Sequence, residues 1–191
     1  MRVYWADHRI WPHGGWMSNG IGWLNALPPD QAERELLTCC ASPRWARTVA
    51  SGLPYADAAV LIETATAAVR ELAWPDVEAA LAAHPRIGDR AETKGPHGLS
   101  EREAAWSRSE QSGAADADTA VLAALAQGNR DYEQRFGHVF LIRAAGRDAA
   151  EMLVELHKRL GNPPEVERDV VRDQLAEITG LRVAKLVEGH S

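Results

Sequence analysis

The sequence has no apolar run that approaches the roughly 18 residues of a membrane-spanning helix. Basic residues are in the minority, since 21 Lys and Arg stand against 27 Asp and Glu and the formal net charge is −6. A nucleic-acid-binding protein needs a basic face to neutralise phosphates. We therefore expect a partner that is neither a membrane nor a nucleic acid.

Cysteine is scarce as well: the chain has two, Cys39 and Cys40, and they are adjacent. Neighbouring cysteines rarely form a disulfide with each other, and two thiols alone cannot build a zinc site. The N-terminal residues lack the continuous apolar stretch of a secretory signal. Together these features predict a protein of the reducing cytoplasm.

Cofactor-binding motifs are also missing. The sequence contains no Gly-rich phosphate loop, no nucleophile elbow, and no HExxH or CxxC pair. Lysine occurs only at positions 94, 158 and 185, and none of these lies in an apolar stripe, which argues against a Schiff base. These absences argue against a metal site and against a lysine that forms a Schiff base.

Helix-forming patterns fill most of the chain. Alanine is abundant, β-branched runs are scarce, and 46% of the residues are hydrophobic, which suits one packed all-α domain. Prolines and capping boxes delimit about eight helices, predicted over residues 29–40, 43–52, 57–72, 76–84, 100–111, 118–136, 148–160 and 164–187. Residues 1–20, which contain three glycines and one proline and show no helical periodicity, predict a loose tail before a helical domain at 21–188.

One segment, HVFLIR at residues 138–143, has the composition of a β-strand. It is the only such run, and a solitary strand has no partner for its hydrogen bonds. The sequence therefore predicts an extended connector at this point rather than a sheet.

Two titratable residues interrupt apolar helix faces, and these are candidates for function. His84 follows Val77 and Leu81 on one face, in the last helical turn, where the macrodipole favours a protonated imidazole. Arg182 interrupts the apolar stripe of the last helix, and an inward Arg needs an anion. The alternatives are a core histidine bonded to a carbonyl and a structural salt bridge.

A third candidate is the polar face formed by Ser107, Glu110 and Gln111, beside Trp106. Three hydrogen-bonding side chains at helical spacing next to an indole predict a pocket wall. The alternative is a solvated helix end, because Gly113 follows shortly afterwards.

Around these residues lie the motifs HPRIG (84–88), WSRSEQ (106–111), YEQRFGHVFL (132–141), LNALP (24–28), SPRW (42–45), GR to EML (146–153) and IxxLR (178–182). In this order and spacing, over about residues 22–187, they resemble 2-oxo-4-hydroxy-4-carboxy-5-ureidoimidazoline (OHCU) decarboxylase. That family is the cofactor-free, all-helical enzyme of urate breakdown that yields (S)-allantoin. The resemblance implies a small-molecule ureidoimidazoline substrate, and a homodimer, since relatives include dimers.

The resemblance also assigns site residues. It implies that His84, Glu110 and Arg182 are catalytic and that no metal is bound. The implied substrate contacts are Pro85, Ser107, Arg108, Ser109 and Gln111, with the backbone of Phe140, Leu141, Ile142, Arg143 and Ala144. Relatives often carry Cys at position 143, a change that should matter little if the contact is made by the main chain.

The chemistry that the resemblance implies suits these residue types. The substrate carries a carboxylate and a hydroxyl on one ring carbon, beside a C=N carbon that bears the ureido group. Loss of CO₂ sends electrons into that C=N bond, so the substrate is its own electron sink. His84 would move protons, Glu110 would hold N–H groups, and Arg182 would bind the anionic substrate.

Two other interpretations stay open. The chain could be a different helical lyase or hydrolase that acts on a related ureido compound. It could also be a binding module in which His84, Glu110 and Arg182 form a structural network. Geometry separates these interpretations, because catalysis requires all three side chains to face one cavity of small-molecule size.

Overall fold

The computed structural model describes residues 18–87, 101–110, 112 and 118–190. Its helices are α1 (Ser18–Ala26), α2 (Pro29–Leu37), α3 (Pro43–Ala50), α4 (Ala58–Arg70), α5 (Trp74–Leu81), α6 (Glu101–Glu110), α7 (Thr119–Phe136), α8 (Ala149–Arg159) and α9 (Pro164–Glu188). No strand occurs in these ranges, which confirms the all-α prediction. Residues 1–17 of the predicted tail and the predicted loop at 88–99 lie outside the described residues.

Helix α1 differs from the prediction, because it begins at Ser18 and includes residues 18–20 of the predicted tail. Glycines at positions 20 and 22 lower its intrinsic helix propensity. However, Ile21 and Leu24 are buried in the core, and such packing stabilises a short helix that propensity alone would not. The described part of the chain therefore contains nine helices rather than eight, and the domain bounds 21–188 stay a prediction.

Helix α9 is the centre of the larger hydrophobic cluster, which we call the main core and which joins α1–α5 to α9. Gly180 lets α9 approach α4 closely, since a Cβ atom there would lie 2.9 Å from Cγ2 of Thr66. In the same core, the indole Nε1 of Trp45 donates to Ala65 O at 2.9 Å and ties α3 to α4. Although α9 has 25 residues, no helix of the described ranges is long and apolar enough to cross a membrane.

A smaller cluster, which we call the second core, joins α7 to α8. The predicted capping box starts α8: Asp148 Oδ1 accepts from the Glu151 N–H at 2.8 Å, and Glu151 Oε2 accepts from the Asp148 N–H at 2.9 Å. Tyr132 of α7 and Leu156 of α8 are among the fully buried side chains of the second core. The two cores meet along the segment that links α7 to α8.

This segment is the extended connector predicted near 138–143, and the structure confirms it. Gly137, whose φ of 79° suits glycine, caps the C-terminus of α7, and residues 139–144 then run without strand pairing. Side chains alternate along it, so that Leu141 packs into the main core while Phe140 and Ile142 pack into the second core. The connector is thus the seam between the two cores.

Candidate active site

A pocket opens at this seam, with about 420 Å³ of atom-free space, its mouth included. The turn after α5 contributes His84 and Pro85, and α6 contributes Ser107 and Glu110. The connector contributes residues 140–145, and α9 contributes Ile178, Leu181 and Arg182. The three side chains predicted to be catalytic therefore face one cavity.

His84 lies just beyond α5, in a turn, and not in the predicted helix to residue 84. The helix ends at Leu81, and the His84 N–H donates to Leu81 O at 2.9 Å. Pro85 explains the earlier end, because a residue before proline is disfavoured in the helical region. The imidazole Nδ1 lies 3.0 Å from Ala80 O. Because a carbonyl oxygen can only accept, Nδ1 carries a proton and donates to it.

The other imidazole nitrogen, His84 Nε2, is buried and has no hydrogen-bond partner among the described residues. Burial and then the charge of Arg182 lower the pKa of His84 from 6.5 to about 4, against the opposing effects of the Ala80 carbonyl and Glu110. The expectation that the macrodipole favours the protonated form is therefore wrong, since desolvation outweighs it. At neutral pH the imidazole is neutral, with a free lone pair on Nε2.

Arg182 and Glu110 form a buried two-point ion pair at the pocket wall. Arg182 Nε donates to Glu110 Oε1 at 3.2 Å, and Nη2 donates to Oε2 at 2.9 Å. Nη2 also lies 3.3 Å from Ser107 Oγ, and Lys185 Nζ lies 3.5 Å from Glu110 Oε1. The anion that the inward Arg182 requires is thus a protein carboxylate. It occupies the forked edge of the guanidinium, which is formed by Nε and Nη2.

The predicted contacts on α6 divide between two faces. Ser107 lies one turn before Glu110 and shares its pocket face, whereas Arg108 and Ser109 are exposed and do not line the pocket. Gln111 lies outside the described residues. Trp106 packs against the main core instead of forming the predicted pocket wall.

All five predicted connector residues, 140–144, line the pocket, but two of their main-chain groups are already engaged. Leu141 O accepts from Arg159 Nη1 at 2.8 Å, and the Arg143 N–H donates to Gln174 Oε1 at 2.9 Å. These bonds hold the connector to α8 and α9. They also remove the Arg143 N–H from the groups that are free to meet a ligand.

Four lining residues were not predicted as site residues: Ile87, Ala145, Ile178 and Leu181. Ile178 lies one turn before Arg182 on the same face of α9, so helical spacing could have found it. Ile87 belongs to the motif that begins at His84. Ala145 follows the predicted connector residues directly.

A second buried ion pair, between Arg159 and Glu167, supports the connector. We call this pair, together with Tyr132 and Asn162, the Arg159 cluster. Arg159 Nε and Nη2 donate to Glu167 Oε1 at 2.8 and 2.6 Å, and the Tyr132 hydroxyl donates to the same oxygen. Asn162 Nδ2 donates to Glu167 Oε2 at 2.7 Å. The Arg159 guanidinium also lies 4.7 Å from the ring centre of Phe140. The cluster thus anchors the connector from behind.

Thiol and metal chemistry find little support in the described residues. Cys39 and Cys40 are free and buried, and burial raises the pKa of their thiols to about 12 and about 11. Both thiols therefore stay protonated at neutral pH and are poor nucleophiles. No group of three or more His, Cys, Asp or Glu in the described ranges could hold a metal ion.

Known proteins resemble this chain over most of its length. The family described as OHCU decarboxylase matches residues 25–184. In Arabidopsis thaliana, the uric acid degradation bifunctional protein TTL is 34% identical over 155 residues, which are 81% of this chain and 47% of that protein. The chain thus spans about half the length of that relative. In Amia calva, a 2-oxo-4-hydroxy-4-carboxy-5-ureidoimidazoline decarboxylase is 29% identical over 148 residues, or 76% of this chain and 81% of that protein.

A solved structure agrees with these sequence matches. The crystal structure of an OHCU decarboxylase in the presence of (S)-allantoin superposes with a TM-score of 0.66 and 34% sequence identity. The match covers 80% of this chain and 96% of that one. At this identity and coverage, the likeness extends over nearly the whole of that fold.

Proposed function

The chain belongs to the OHCU decarboxylase family, and from that premise we propose that it converts 2-oxo-4-hydroxy-4-carboxy-5-ureidoimidazoline to (S)-allantoin and CO₂ in urate breakdown. The observation that carries the proposal is the convergence of His84, Glu110 and Arg182 on one pocket. A purely structural network would satisfy its buried polar atoms, whereas Nε2 of His84 has no partner among the described residues.

His84 is the proton shuttle of the proposed reaction. Its Nδ1 is held by Ala80 O, which leaves the lone pair of Nε2 for the substrate. As CO₂ leaves, its bonding electrons form a C=C bond between the two ring carbons, and the π electrons of the C=N bond pass to its nitrogen, which takes up a proton from solvent. Nε2 accepts the hydroxyl proton and delivers it to one face of the carbon that bears the ureido group, which sets the S configuration.

Glu110 and Arg182 orient the substrate beside this base. Each oxygen of Glu110 accepts a bond from Arg182. Oε1 also accepts one from Lys185 Nζ, whereas Oε2 keeps a lone pair for an N–H of the ring or the ureido group. Nη1 of Arg182 has no partner in the described part of the chain and is left for a substrate oxygen. The fixed positive charge stabilises the negative charge that develops on the C=N nitrogen.

The remaining predicted contacts are those other than His84, Glu110 and Arg182. Pro85, Ser107 and the connector lie around the pocket and would enclose the substrate. The roles of Arg108, Ser109 and Gln111 rest on the family resemblance alone.

From the resemblance and the adjacent free cysteines we also propose a homodimer that acts in the cytoplasm, which sedimentation and cell fractionation would test.

The proposal is tested by making the substrate in place, from urate with uricase and hydroxyisourate hydrolase, and following (S)-allantoin by circular dichroism. The wild-type protein should speed the signal well above the spontaneous, racemic route. His84→Asn, whose amide can keep the bond to Ala80 O, should lower kcat by about 100- to 10,000-fold because the proton shuttle is lost. The matched control is His157→Asn, which removes an exposed histidine of α8 and should leave kcat unchanged.

Two results would argue against the proposal. The wild-type protein could fail to enrich (S)-allantoin, which would favour the binding-module interpretation if the pocket still bound the substrate. Alternatively, His84→Asn could retain full activity with an unchanged far-ultraviolet spectrum, which would exclude His84 as the shuttle.

A further inference from the structure

The proposed substrate is an anion, and Arg182 offers its carboxylate a single guanidinium nitrogen, Nη1, that is free of partners among the described residues. The forked edge of Arg182 is occupied by Glu110, so this pair offers no two-point site for a second carboxylate. His84 is neutral at neutral pH and offers no charge. Under the proposed function, on which this inference rests, a second cation at the pocket would add to the binding of this carboxylate.

Arg143 is a cation of the pocket lining whose side chain is only partly engaged. Its Nε lies 3.1 Å from Glu177 Oε2, but this nitrogen is buried and makes no hydrogen bond of good geometry with the described residues. Its two terminal nitrogens have no partner among those residues. The main-chain N–H of Arg143 is bound to Gln174, so a ligand contact has to come from the side chain.

The position of Glu177 places this guanidinium at the mouth of the pocket. Glu177 precedes the lining residue Leu181 by one turn of α9, so the two lie on the same face. The side chains of Arg143 and Glu177 are 39% and 45% exposed, so water reaches the pair and screens it. Arg143 can therefore turn its terminal nitrogens to a ligand at little cost.

We infer that Arg143 determines the specificity of the pocket for a carboxylate, which its terminal guanidinium nitrogens bind at the mouth. In this arrangement CO₂ departs towards solvent, while the ring and the ureido group stay inside with His84 and Glu110. Because the carboxylate is lost in the reaction, its contact with Arg143 stabilises the bound substrate more than the transition state. Removing the contact should therefore raise KM and spare kcat.

The test compares steady-state kinetics of Arg143→Met with those of the wild-type protein. Loss of a charge-assisted pair predicts a KM increase of about ten- to hundredfold, with kcat unchanged or higher. Arg143→Lys keeps the charge without the fork and should give an intermediate KM. Inhibition by (S)-allantoin, which lacks the carboxylate, should be equal in the wild type and in Arg143→Met.

Two control variants separate a specific contact from a general loss of charge. Arg70→Met removes an exposed arginine that pairs with Asp173 on α9, and it should leave KM unchanged. Glu177→Gln removes the partner of Arg143 and should leave KM unchanged or lower.

Three results would overturn the inference. The first is an unchanged KM in Arg143→Met. The second is a weakening of (S)-allantoin inhibition as large as the change in KM, which would place Arg143 on a group that the product retains. The third is a KM in Glu177→Gln as high as in Arg143→Met. An inactive wild-type protein would refute the proposed function and this inference with it, whereas an active wild type with any of the three results refutes the inference alone.

Discussion

Two buried Arg–Glu pairs lie on either side of the connector, and they are built differently. In the pair of Arg159 and Glu167, the side chains are 2% and 0% exposed, and both carboxylate oxygens accept bonds from protein donors in the cluster. In the pair of Arg182 and Glu110, the side chains are 6% and 11% exposed and the pair borders a cavity. Beside it lies His84, whose Nε2 has no partner within the described ranges.

The difference shows how one type of interaction serves two purposes. A buried charge costs several kcal/mol to desolvate, and only a complete set of partners offsets that cost. The Arg159 cluster has such a set, so it can hold the connector but has no capacity left for a ligand. The pair of Arg182 and Glu110 borders a cavity and keeps one guanidinium nitrogen, Nη1, free of partners in the described part of the chain, which is what a binding site requires.

The largest effect is expected from breaking the pair of Arg159 and Glu167, which we call the saturated pair because all three guanidinium nitrogens of Arg159 have protein partners. Arg159→Met leaves Glu167 charged, buried and without its cation, so the free energy of unfolding should fall by about 3–5 kcal/mol. Urea denaturation followed by far-ultraviolet circular dichroism measures this loss. Because Arg159 does not touch the pocket, kcat per folded molecule should fall by less than about tenfold.

Arg159→Lys is the matched control, since it keeps the charge and should recover part of the lost stability. A midpoint of denaturation equal to that of the wild type would contradict the structural role of the cluster. So would a variant of full stability that has lost its activity.

Breaking the unsaturated pair should have the opposite balance of effects. Arg182→Met removes the fixed charge beside His84, so kcat should fall by about 100- to 1,000-fold. The free energy of unfolding should fall by about 1–3 kcal/mol, less than in Arg159→Met, since Glu110 keeps Lys185 as a partner and some contact with water. The same kinetic and denaturation measurements apply, and a larger stability loss in Arg182→Met than in Arg159→Met would reverse the comparison.

Sequence reasoning could find one of these pairs and not the other. Arg182 stands out because the residues around it on α9 are apolar at helical spacing. Arg159 ends α8 and Glu167 lies in the first turn of α9, where basic and acidic residues complement the helix dipole on any exposed helix. Burial at these ends comes from the packing of α8 on the connector, which no local pattern reveals.

The fold shows the same division between local and tertiary information. The capping box that starts α8 was predictable because its bonds link residues three apart. Helix α1 was missed because its stability depends on the burial of Ile21 and Leu24, which are distant in sequence from most of the main core. The charge state of His84 was wrong for the same reason, since desolvation depends on α6 and α9 as well as on its own helix.

The smallest effect tests this desolvation directly. The pKa of His84 is 6.5 in the unfolded chain and about 4 in the folded one, so the unfolded state binds the proton more readily. The stabilising contribution is complete above pH 6.5 and is lost progressively as the pH falls towards 4. Between pH 7 and pH 5, His84 should therefore lower the free energy of unfolding by about 1–2 kcal/mol.

His84→Asn isolates this contribution, because every other titrating group is common to both proteins. Glu133, for example, has a pKa lowered by Arg86, and its stabilising contribution is lost only below its ordinary value of 4.5. The unfolding free energy of the wild type minus that of the variant should thus fall from pH 7 to pH 5. Urea titrations at each pH measure it. If this difference were the same at pH 7 and at pH 5, burial would not disfavour the protonation of His84. The contrast between the two regions would then not extend to His84.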